Sequence, residues 1–288
     1  MHGRKFPTRE QRVKTHYNKS KRYQRNERKE LETINIRKVN NFIKKSLINQ
    51  FVKTDDKVFD LCCGKGGDIF KFKDRKIEKY IGVDISQYSV DEAKKRYETN
   101  KSIFEAEFFC RDAYDGKLEL KESIDFISCQ FSFHYAFESE NKVKNAILST
   151  TKTLKKGGFI VFTVPDDEKL LAKKRKLGDK FGNSFFEVEF LKNEKETETY
   201  GIEYNFTLKD SIESCSEFLV KNKEFIELMK SLNFNCVLNE KFKNFFSEKR
   251  KNNKNLFTKM CGENFDLTKD EKEVINLYRC IAFEKIND

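Results

Sequence analysis

The chain has 288 residues, of which 38% are hydrophobic and 36% charged, and it is long enough to bury a substantial core. No apolar run approaches the roughly 20 residues of a membrane-spanning helix, and the first residues lack the apolar segment of a signal peptide. These features exclude a helical membrane protein and predict no secretory leader, while the formal net charge of +11 favours an anionic partner.

Basic residues are concentrated at the N-terminus, where residues 1–30 hold eleven Lys or Arg against three Glu. This segment has few aliphatic residues and cannot build a core, so we expect residues 1–32 to form a flexible basic arm. Such an arm can bind phosphate backbones by releasing counterions. A nuclear-targeting signal and a solubilising tail are the alternatives.

The first predicted element is a helix over residues 33–52, where apolar residues recur at helical spacing. Strand and helix patterns then alternate along the chain. Strands are predicted near 57–62, 79–84, 106–110, 124–130 and 158–164, and helices near 67–75, 88–99 and 139–153, the last with a stop signal at 155–158. This alternation predicts a parallel sheet with helices on both faces and a ligand site at the carboxyl ends of the strands.

The pattern changes after Pro165. A Lys-rich exposed helix or loop is predicted over 166–183, short antiparallel strands over 185–220, a helix over 222–232, an Asn- and Lys-rich loop over 243–258, and a closing strand over 278–285. No internal repeat or linker is visible, so we expect these segments to belong to the same domain as the sheet.

A glycine-rich loop follows the first predicted strand. Gly64 and Gly66 match two positions of the Gly-x-Gly-x-x-Gly dinucleotide fingerprint, but Ile69 stands at the third. A second apolar run, 80–83, ends in Asp84, where a carboxylate can bind both hydroxyls of a ribose. The pattern predicts the start of a nucleotide-binding α/β sheet, in which glycines let the backbone approach the ligand closely.

Acidic residues at successive strand ends indicate which ligand binds. Asp60 and Asp68 flank the loop, where they would repel a pyrophosphate and attract a ligand with sulfonium and ammonium groups. Asp112 follows the third predicted strand and can accept a hydrogen bond from an adenine amino group. Together with Asp84, these acids predict a site for S-adenosylmethionine. The alternative is that they are helix N-caps or solvated loop residues.

Eight cysteines are scattered through the chain without a Cys-x-x-Cys pair. The adjacent Cys62 and Cys63 are expected to point to opposite faces of a strand. Buried, reduced thiols are favoured over a zinc site, so no metal site is predicted.

A second motif, residues 128–135, follows the fourth predicted strand. It places Gln130, Phe131, His134 and Tyr135 beside the predicted cofactor edge of the sheet, where aromatic rings and a histidine can stack on a flat base. The alternative is that Phe131 and Phe133 belong to the core and His134 caps a helix.

These motifs, in this order, resemble the eukaryotic mRNA cap (guanine-N7) methyltransferases. The resemblance rests on residues 40–44, 60–68, 83–86 and 130–137, and it extends from about residue 33 to the C-terminus. It implies an α/β fold of class I S-adenosylmethionine-dependent methyltransferases, a Rossmann-like seven-stranded sheet with an antiparallel insertion. The methyltransferase domain would span 33–288, with an insertion at 166–220 contributing to the cap pocket. The family usually has Gly where this chain has Cys62, which would place a sulfur near the methionine part of the cofactor.

Site residues follow from the acids above and from the resemblance. The expected cofactor-binding residues are Lys44, Asp60, Cys62, Gly64, Asp68, Asp84, Asp112, Gln130 and Tyr135. The cap-binding residues that the resemblance implies are Asn40, Asn41, Lys65, Lys71, Arg96, Phe131, His134, Pro165, Glu217 and Tyr278. Of these, Lys65, Lys71 and Arg96 match residues facing the cap phosphates. Glu217, His134 and Tyr135 are expected to position the substrates without transferring protons.

The predicted reaction is methyl transfer from S-adenosylmethionine to N7 of the GpppN cap of mRNA, by in-line attack without a general base. The resemblance also implies a monomer in the nucleus, with other capping enzymes or RNA polymerase II as further partners and no membrane association. Two alternatives remain open: an S-adenosylmethionine enzyme acting on other RNA or on a small molecule, and an inactive RNA-binding relative disabled by Cys62.

Overall fold

The computed structural model describes residues 30–99, 104–191 and 196–287. Most of the predicted basic arm, residues 1–29, lies outside the described residues. The described helices are α1 (Ile34–Phe51), α2 (Gln87–Thr99), α3 (Glu140–Thr151), α4 (Asp167–Leu177), α5 (Asn222–Ser231), α6 (Phe242–Asn252), α7 (Lys254–Cys261) and α8 (Lys269–Ile275). The described strands are β1 (Lys57–Leu61), β2 (Lys79–Asp84), β3 (Glu105–Cys110), β4 (Ile124–Gln130), β5 (Leu154–Pro165), β6 (Lys180–Gly182), β7 (Phe186–Phe190), β8 (Glu203–Leu208), β9 (Ile212–Phe218), β10 (Phe234–Lys241) and β11 (Tyr278–Lys285).

Seven strands form the central sheet in the order β10-β11-β5-β4-β1-β2-β3. The strands β1 to β5 run parallel to one another, whereas β11 is antiparallel to both β5 and β10. This architecture confirms the predicted α/β fold. Because β1 pairs with β2 on one side and β4 on the other, the loops after these strands meet at one edge of the sheet.

Two hydrophobic cores lie on opposite faces of this sheet. Successive strand residues point to opposite faces, so Val58 joins the core that contains Phe42 of α1 and Phe245 of α6, while Phe59 joins the core that contains Ile147 of α3. The helix α1 agrees with its prediction, since its apolar residues form one buried stripe. None of the described helices is long and apolar enough to cross a bilayer.

A second, four-stranded antiparallel sheet, β6-β7-β8-β9, lies within the predicted 166–220 insertion. Its strands alternate buried and exposed residues, as a sheet with one face on the core requires. In the β8–β9 pairing, Tyr204 stands directly opposite Glu217. The register therefore brings two buried polar side chains together on the inner face of this sheet.

Three predicted elements need correction. The predicted 67–75 helix is two short 3-10 turns, Ile69–Lys71 and Lys73–Arg75, and Lys76 ends them in a left-handed conformation with φ 51°. The predicted helix stop at 155–158 lies inside β5, because the strand begins at Leu154 and its register with β4 shifts at this point. The predicted 243–258 loop is instead α6 and α7, whose apolar residues pack on α1.

Candidate functional site

The carboxyl ends of β1, β2 and β4, together with the loop after β3, surround a cleft of about 280 Å³. Seven of the predicted site residues line it: Cys62, Gly64, Asp84, Asp112, Gln130, Phe131 and Tyr135. These residues come from four separate segments of sequence. The sheet topology therefore brings most of the predicted cofactor residues to one place.

The glycine loop is held in place by the acid at the end of β2. The Asp84 carboxylate accepts hydrogen bonds from the backbone N–H of Gly64 and of Ser86, both at 2.9 Å. Burial raises the pKa of Asp84, and the two N–H donors oppose that rise. At Gly66, which has φ 68°, a Cβ would come within 2.5 Å of Ile69. Only glycine fits this turn without displacing its neighbours.

Cys62, the residue that departs from the family pattern, has φ 57°. This left-handed conformation is the one that glycine adopts at no steric cost. The Cys62 thiol lies 3.4 Å from the Tyr114 hydroxyl, and burial holds the pKa of the thiol well above its usual range. The cysteine is therefore a neutral side chain in the wall of the cleft.

Below the loop lies a buried acid, Asp60, which accepts a hydrogen bond of 2.6 Å from the Tyr80 hydroxyl. Burial, reinforced by the negative charge of Asp68, raises the pKa of Asp60 to about 7. A carboxyl with this pKa is close to half-ionised at neutral pH, so a cation bound nearby would favour its charged form.

Asp68 carries the charge that pairs with two lysines. Lys44 of α1 lies 2.8 Å from its carboxylate and Lys71 lies 2.6 Å from it. Burial alone would raise the pKa of Asp68, but the two ammonium groups outweigh burial and hold that pKa well below its usual range. Lys71 also donates to the Gly67 carbonyl, and its side chain is only 11% exposed. This lysine, expected at the cap phosphates, is placed against the glycine loop.

At the other side of the cleft, Asp112 accepts a hydrogen bond from the backbone N–H of Tyr114, at 2.8 Å. Gln130 donates to Ser128, at 3.2 Å, and its Oε1 is buried without a hydrogen-bond partner among the described residues. A buried acceptor of this kind costs free energy unless a donor binds it. The cleft therefore offers an acceptor that a ligand amino group would satisfy.

A second polar group lies behind the cleft, where Glu217 of β9 is buried. It accepts a hydrogen bond of 2.9 Å from the Tyr204 hydroxyl, and Nε2 of His134 lies 3.5 Å from its other oxygen. Burial raises the pKa of Glu217 to about 8, although the Tyr204 hydrogen bond opposes this rise. The carboxyl and the imidazole form a polar pair inside a largely apolar wall.

Aromatic residues connect this pair to the cleft. The Tyr135 ring lies 4.2 Å from the His134 ring, and its hydroxyl lies 3.3 Å from the Cys215 sulfur. Phe131, which lines the cleft, packs edge-on against Tyr278 at 5.1 Å. Pro165, at the end of β5, is the strand partner of Tyr278. The expected cap-pocket residues of 131–135, 165, 217 and 278 thus lie together beside the cleft.

The remaining predicted residues lie near the cleft without lining it. Asn40 and Asn41 are on α1, and Oδ1 of Asn40 is buried without a hydrogen-bond partner among the described residues. Lys65 Nζ lies 5.0 Å from the ring centroid of Tyr88. Arg96 Nη1 lies beside Gly67, 3.9 Å from the point that a Cβ would occupy. Lys65 therefore belongs to the glycine loop, and Arg96 lies beside it.

Sequence reasoning missed several residues of the site, and three of them make polar contacts there. Tyr114 and Ser132 line the cleft and are joined by a 3.1 Å hydrogen bond. Tyr204 orients Glu217. Tyr114 lies two residues after Asp112, so it could have been predicted from its position next to an expected site residue. Tyr204 has no local motif, and its role depends on strand register.

The residues present fit S-adenosylmethionine. A carboxylate at the end of β2 can bind ribose hydroxyls, the acids beside the glycine loop suit a cationic ligand, and the Gln130 Oε1 needs a donor. With the seven-stranded sheet and its antiparallel β11, this cleft defines a class I S-adenosylmethionine-dependent methyltransferase.

Comparisons identify the family within that class. The model of the mRNA (guanine-N(7))-methyltransferase domain matches residues 3–286, and the chain belongs to this family. It is 33% identical to the mRNA cap guanine-N(7) methyltransferase of Candida glabrata, over 96% of this chain and 73% of that protein. Identity to the Schizosaccharomyces pombe protein of the same name is 31%, over 95% of this chain and 81% of that protein.

A solved structure supports the fold independently. The S-adenosylmethionine-dependent methyltransferase of Clostridium acetobutylicum is similar to this chain with a TM-score of 0.52, over 86% of this chain and 91% of that chain. The sequence identity is 18%, so this similarity shows a common fold and carries no statement about substrate.

Proposed function

We propose that this protein transfers a methyl group from S-adenosylmethionine to N7 of the guanine in the GpppN cap of mRNA. The observation that carries the proposal is the buried Glu217–His134 pair, with 3.5 Å between Nε2 and the carboxylate, behind a cleft that suits the cofactor. Tyr135 contacts both regions, so a base held by the pair would lie next to the cofactor. Membership of the family supports the same substrate.

Guanine N7 carries a lone pair and no proton, so the reaction needs no general base. S-adenosylmethionine supplies an electrophilic methyl group on a sulfonium centre. The task of the protein is to hold the two reacting atoms about 3–3.5 Å apart and in line. Asp84 and the glycine loop would hold the cofactor side, and the walls formed by Phe131 and Tyr135 would restrict the position of the base.

Glu217 has two parts in this proposal. Its ionised carboxylate can accept hydrogen bonds from guanine N1–H and from the 2-amino group, an edge that adenine does not present. It also places a negative charge near a base that becomes cationic on methylation, which stabilises the developing charge. His134 would donate to the guanine carbonyl oxygen.

The phosphate bridge of the cap would lie near the glycine loop. Lys65 in this loop and Arg96 beside it would neutralise the bridge. Lys71 would act indirectly, since it holds the loop through Gly67 and Asp68. Truncation of Lys71 is therefore expected to disturb cofactor binding as well as cap binding.

The decisive test is methyl transfer from labelled S-adenosylmethionine to RNA with a GpppA end. RNA with a pppA end and RNA with an ApppA end serve as controls for the cap and for the base. Label released as N7-methylguanosine from the GpppA substrate alone supports the proposal. Transfer to the pppA control would favour an enzyme acting on other RNA, and cofactor binding without transfer to any substrate would favour the inactive relative.

Wider parts of the proposal concern the setting in which the enzyme acts. We propose a nuclear monomer that meets its substrate through other capping enzymes or RNA polymerase II. Light scattering of the purified protein tests the monomer, and imaging of a tagged full-length chain tests the location. Co-purification of a capping enzyme or of the polymerase with the tagged chain tests the partners.

A further inference from the structure

The hairpin formed by α6 and α7 has an apolar side and a basic side. On the apolar side, Phe246 and Phe257 pack edge-on against Phe42 of α1, with ring centroids 5.8 and 5.5 Å away. The opposite side is exposed to solvent. Its exposed lysines, here named the basic face, are Lys243, Lys251, Lys254 and Lys259.

The charge on this hairpin is large compared with the rest of the domain. Removing residues 1–30, with eleven basic and three acidic side chains, from totals of 58 and 47 leaves 47 basic and 44 acidic residues. Six of those basic residues and a single acid, Glu248, lie within 242–261. Glu248 is itself paired with Lys249 at 3.0 Å. The surplus of five cations on the hairpin exceeds the net charge of +3 on the whole of residues 31–288.

The basic face begins beside the proposed cap pocket. Phe242, the first residue of α6, is fully buried, and its ring lies 5.7 Å from the Tyr278 ring and 5.8 Å from the Phe131 ring. These two rings form the aromatic wall of that pocket. The helix α6 begins at this wall and is 11 residues long, about 16 Å. The helix α7 follows after Asn253 and carries two further exposed lysines, Lys254 and Lys259.

We propose that the basic face of α6 and α7 binds the phosphodiester backbone of the RNA that follows the cap. This inference rests on the proposed function, because a cap held in the pocket fixes where the attached RNA leaves the site. Lysines that neutralise backbone phosphates release counterions and bind without regard to base sequence. A methyltransferase with this surface would bind capped RNA more tightly than the cap alone.

The test replaces three lysines of the basic face together, as Lys243→Gln, Lys251→Gln and Lys254→Gln, and compares two substrates. For capped RNA of about 20 nucleotides, KM rises roughly tenfold near 0.1 M salt and the slope of log KM against log salt falls by about 2, since each single-strand phosphate contact contributes about 0.7. For the dinucleotide GpppA, KM and kcat stay within about twofold of wild type, because it has no RNA body.

A matched control carries the same change in charge at the opposite edge of the sheet. Lys121, Lys152 and Lys156 are exposed near the amino ends of β4 and β5, far in the topology from the strand ends that bind ligand. Their replacement by Gln is expected to leave KM for the capped RNA unchanged. All variants keep residues 1–30, so any contribution of that arm is common to them. Thermal unfolding checks that each variant is folded.

Five outcomes are possible. A selective loss for long capped RNA in the basic-face variant supports it. An equal loss in both triple variants shows a net-charge effect and overturns it, as does an unchanged KM, or a loss that is as large for GpppA. If the wild-type protein methylates no cap, the proposed function fails, and binding of uncapped RNA of about 20 nucleotides still tests the surface by the same salt slope.

Discussion

At Glu217, burial and hydrogen bonding shift the pKa of the carboxyl in opposite directions. Burial raises the pKa to about 8, and the Tyr204 hydroxyl favours the ionised form. Without guanine, the acid is therefore mostly protonated at neutral pH. In the proposed function, guanine binds the carboxylate through N1–H and the 2-amino group, so cap binding would be accompanied by loss of this proton.

We predict that the affinity for GpppA rises as the pH is raised from 6.5 towards 8 and then levels off. The slope approaches tenfold per pH unit below the pKa, because the fraction of ionised Glu217 limits binding. The Glu217→Gln variant binds weakly at every pH and shows no such rise. Titration calorimetry at a series of pH values measures both curves, and a flat wild-type curve contradicts the assignment.

The Tyr204→Phe variant is a sharper control for the same prediction. Removing the hydroxyl removes a hydrogen bond that favours ionised Glu217, so the midpoint of the affinity curve moves to higher pH. A merely structural role for Tyr204 would lower stability and leave the midpoint unchanged.

Stability gives a second measurement of the Glu217 proton. The folded state holds this proton between the ordinary Glu pKa of 4.5 and about 8, where the unfolded chain has released it. The unfolded state then binds fewer protons, so the part of the free energy of unfolding that depends on Glu217 falls as the pH rises through this window. As the pH rises from 4.5 to about 8, the free energy of unfolding of the wild type should therefore fall relative to that of Glu217→Gln.

Cys62 gives a prediction about backbone strain. A φ of 57° costs an ordinary residue about 1–2 kcal/mol. Glycine at this position would remove that cost. Glycine would also lose the contact with Tyr114 and make the unfolded chain more flexible, and both of these effects lower the stability. We expect Cys62→Gly to change the free energy of unfolding by no more than about 1 kcal/mol, and Cys62→Val to lower it by about 2 kcal/mol or more because β-branched residues disfavour this region. Urea unfolding of the two variants decides whether the sequence departure is tolerated in this way.

The site could be predicted residue by residue only where a local pattern marks a strand end. Asp84, Asp112 and Gln130 each end an apolar run or follow one within two residues, so their convergence follows from the topology of a parallel sheet. Tyr204 could not be predicted, because its partner Glu217 is set by the register of a hairpin. The pairing of Lys71 with Asp68 was equally hidden, since it depends on how a short 3-10 turn is placed.

Among the elements, the α6–α7 hairpin shows how composition can hide a helix. Asn- and Lys-rich sequence suggested a loop, yet Phe242, Phe245 and Phe246 have the i, i+3, i+4 spacing of a helix face and are buried. The polar residues are those of the solvent side. Tertiary packing on α1 stabilises these helices despite weak local propensity.

At β5, the sequence predicted the end of a helix where the structure has a strand. Two glycines after a helix are a common stop signal, but Gly157 and Gly158 lie where β5 shifts register against β4. At Gly158 a Cβ would lie 2.9 Å from the Asp125 carbonyl oxygen. Glycine is needed there because the two strands approach closely. In a single sequence, such a glycine looks the same as one that ends a helix.

We predict that Phe42→Ala lowers the free energy of unfolding by about 3–5 kcal/mol, the usual cost of removing a buried ring. Phe42 is fully buried and contacts both α6 and α7. Amide hydrogen exchange should accelerate most in these two helices and in α1. Faster exchange confined to the β6–β9 sheet would contradict the role given to this residue.

In the part of the chain that the structure describes, two sheets hold the cofactor cleft and the adjoining residues of the proposed cap pocket. The central sheet supplies the cleft, while β9, β11 and the end of β5 supply the pocket residues Glu217, Tyr278 and Pro165. Cofactor binding and cap binding should therefore be separable by mutation.

We predict that S-adenosylmethionine at 100 times its Kd stabilises the folded protein by about 2.7 kcal/mol. Asp84→Ala should abolish this effect, because its carboxylate both holds the glycine loop and faces the cleft. Glu217→Gln should retain it. Thermal unfolding with and without the cofactor measures all three, and loss of the effect in Glu217→Gln would show that the two sites are not separable.

The antiparallel strand β11 has a consequence for biosynthesis. Among the described strands it is the last in chain order, yet it takes an interior position between β5 and β10 and carries Tyr278 of the proposed pocket wall. Residues up to 135, which include every predicted cofactor ligand, are synthesised long before it. During translation the proposed guanine pocket is thus completed after the cofactor cleft, and a chain that terminates before residue 278 leaves an open sheet edge and exposed apolar surface for quality control to detect.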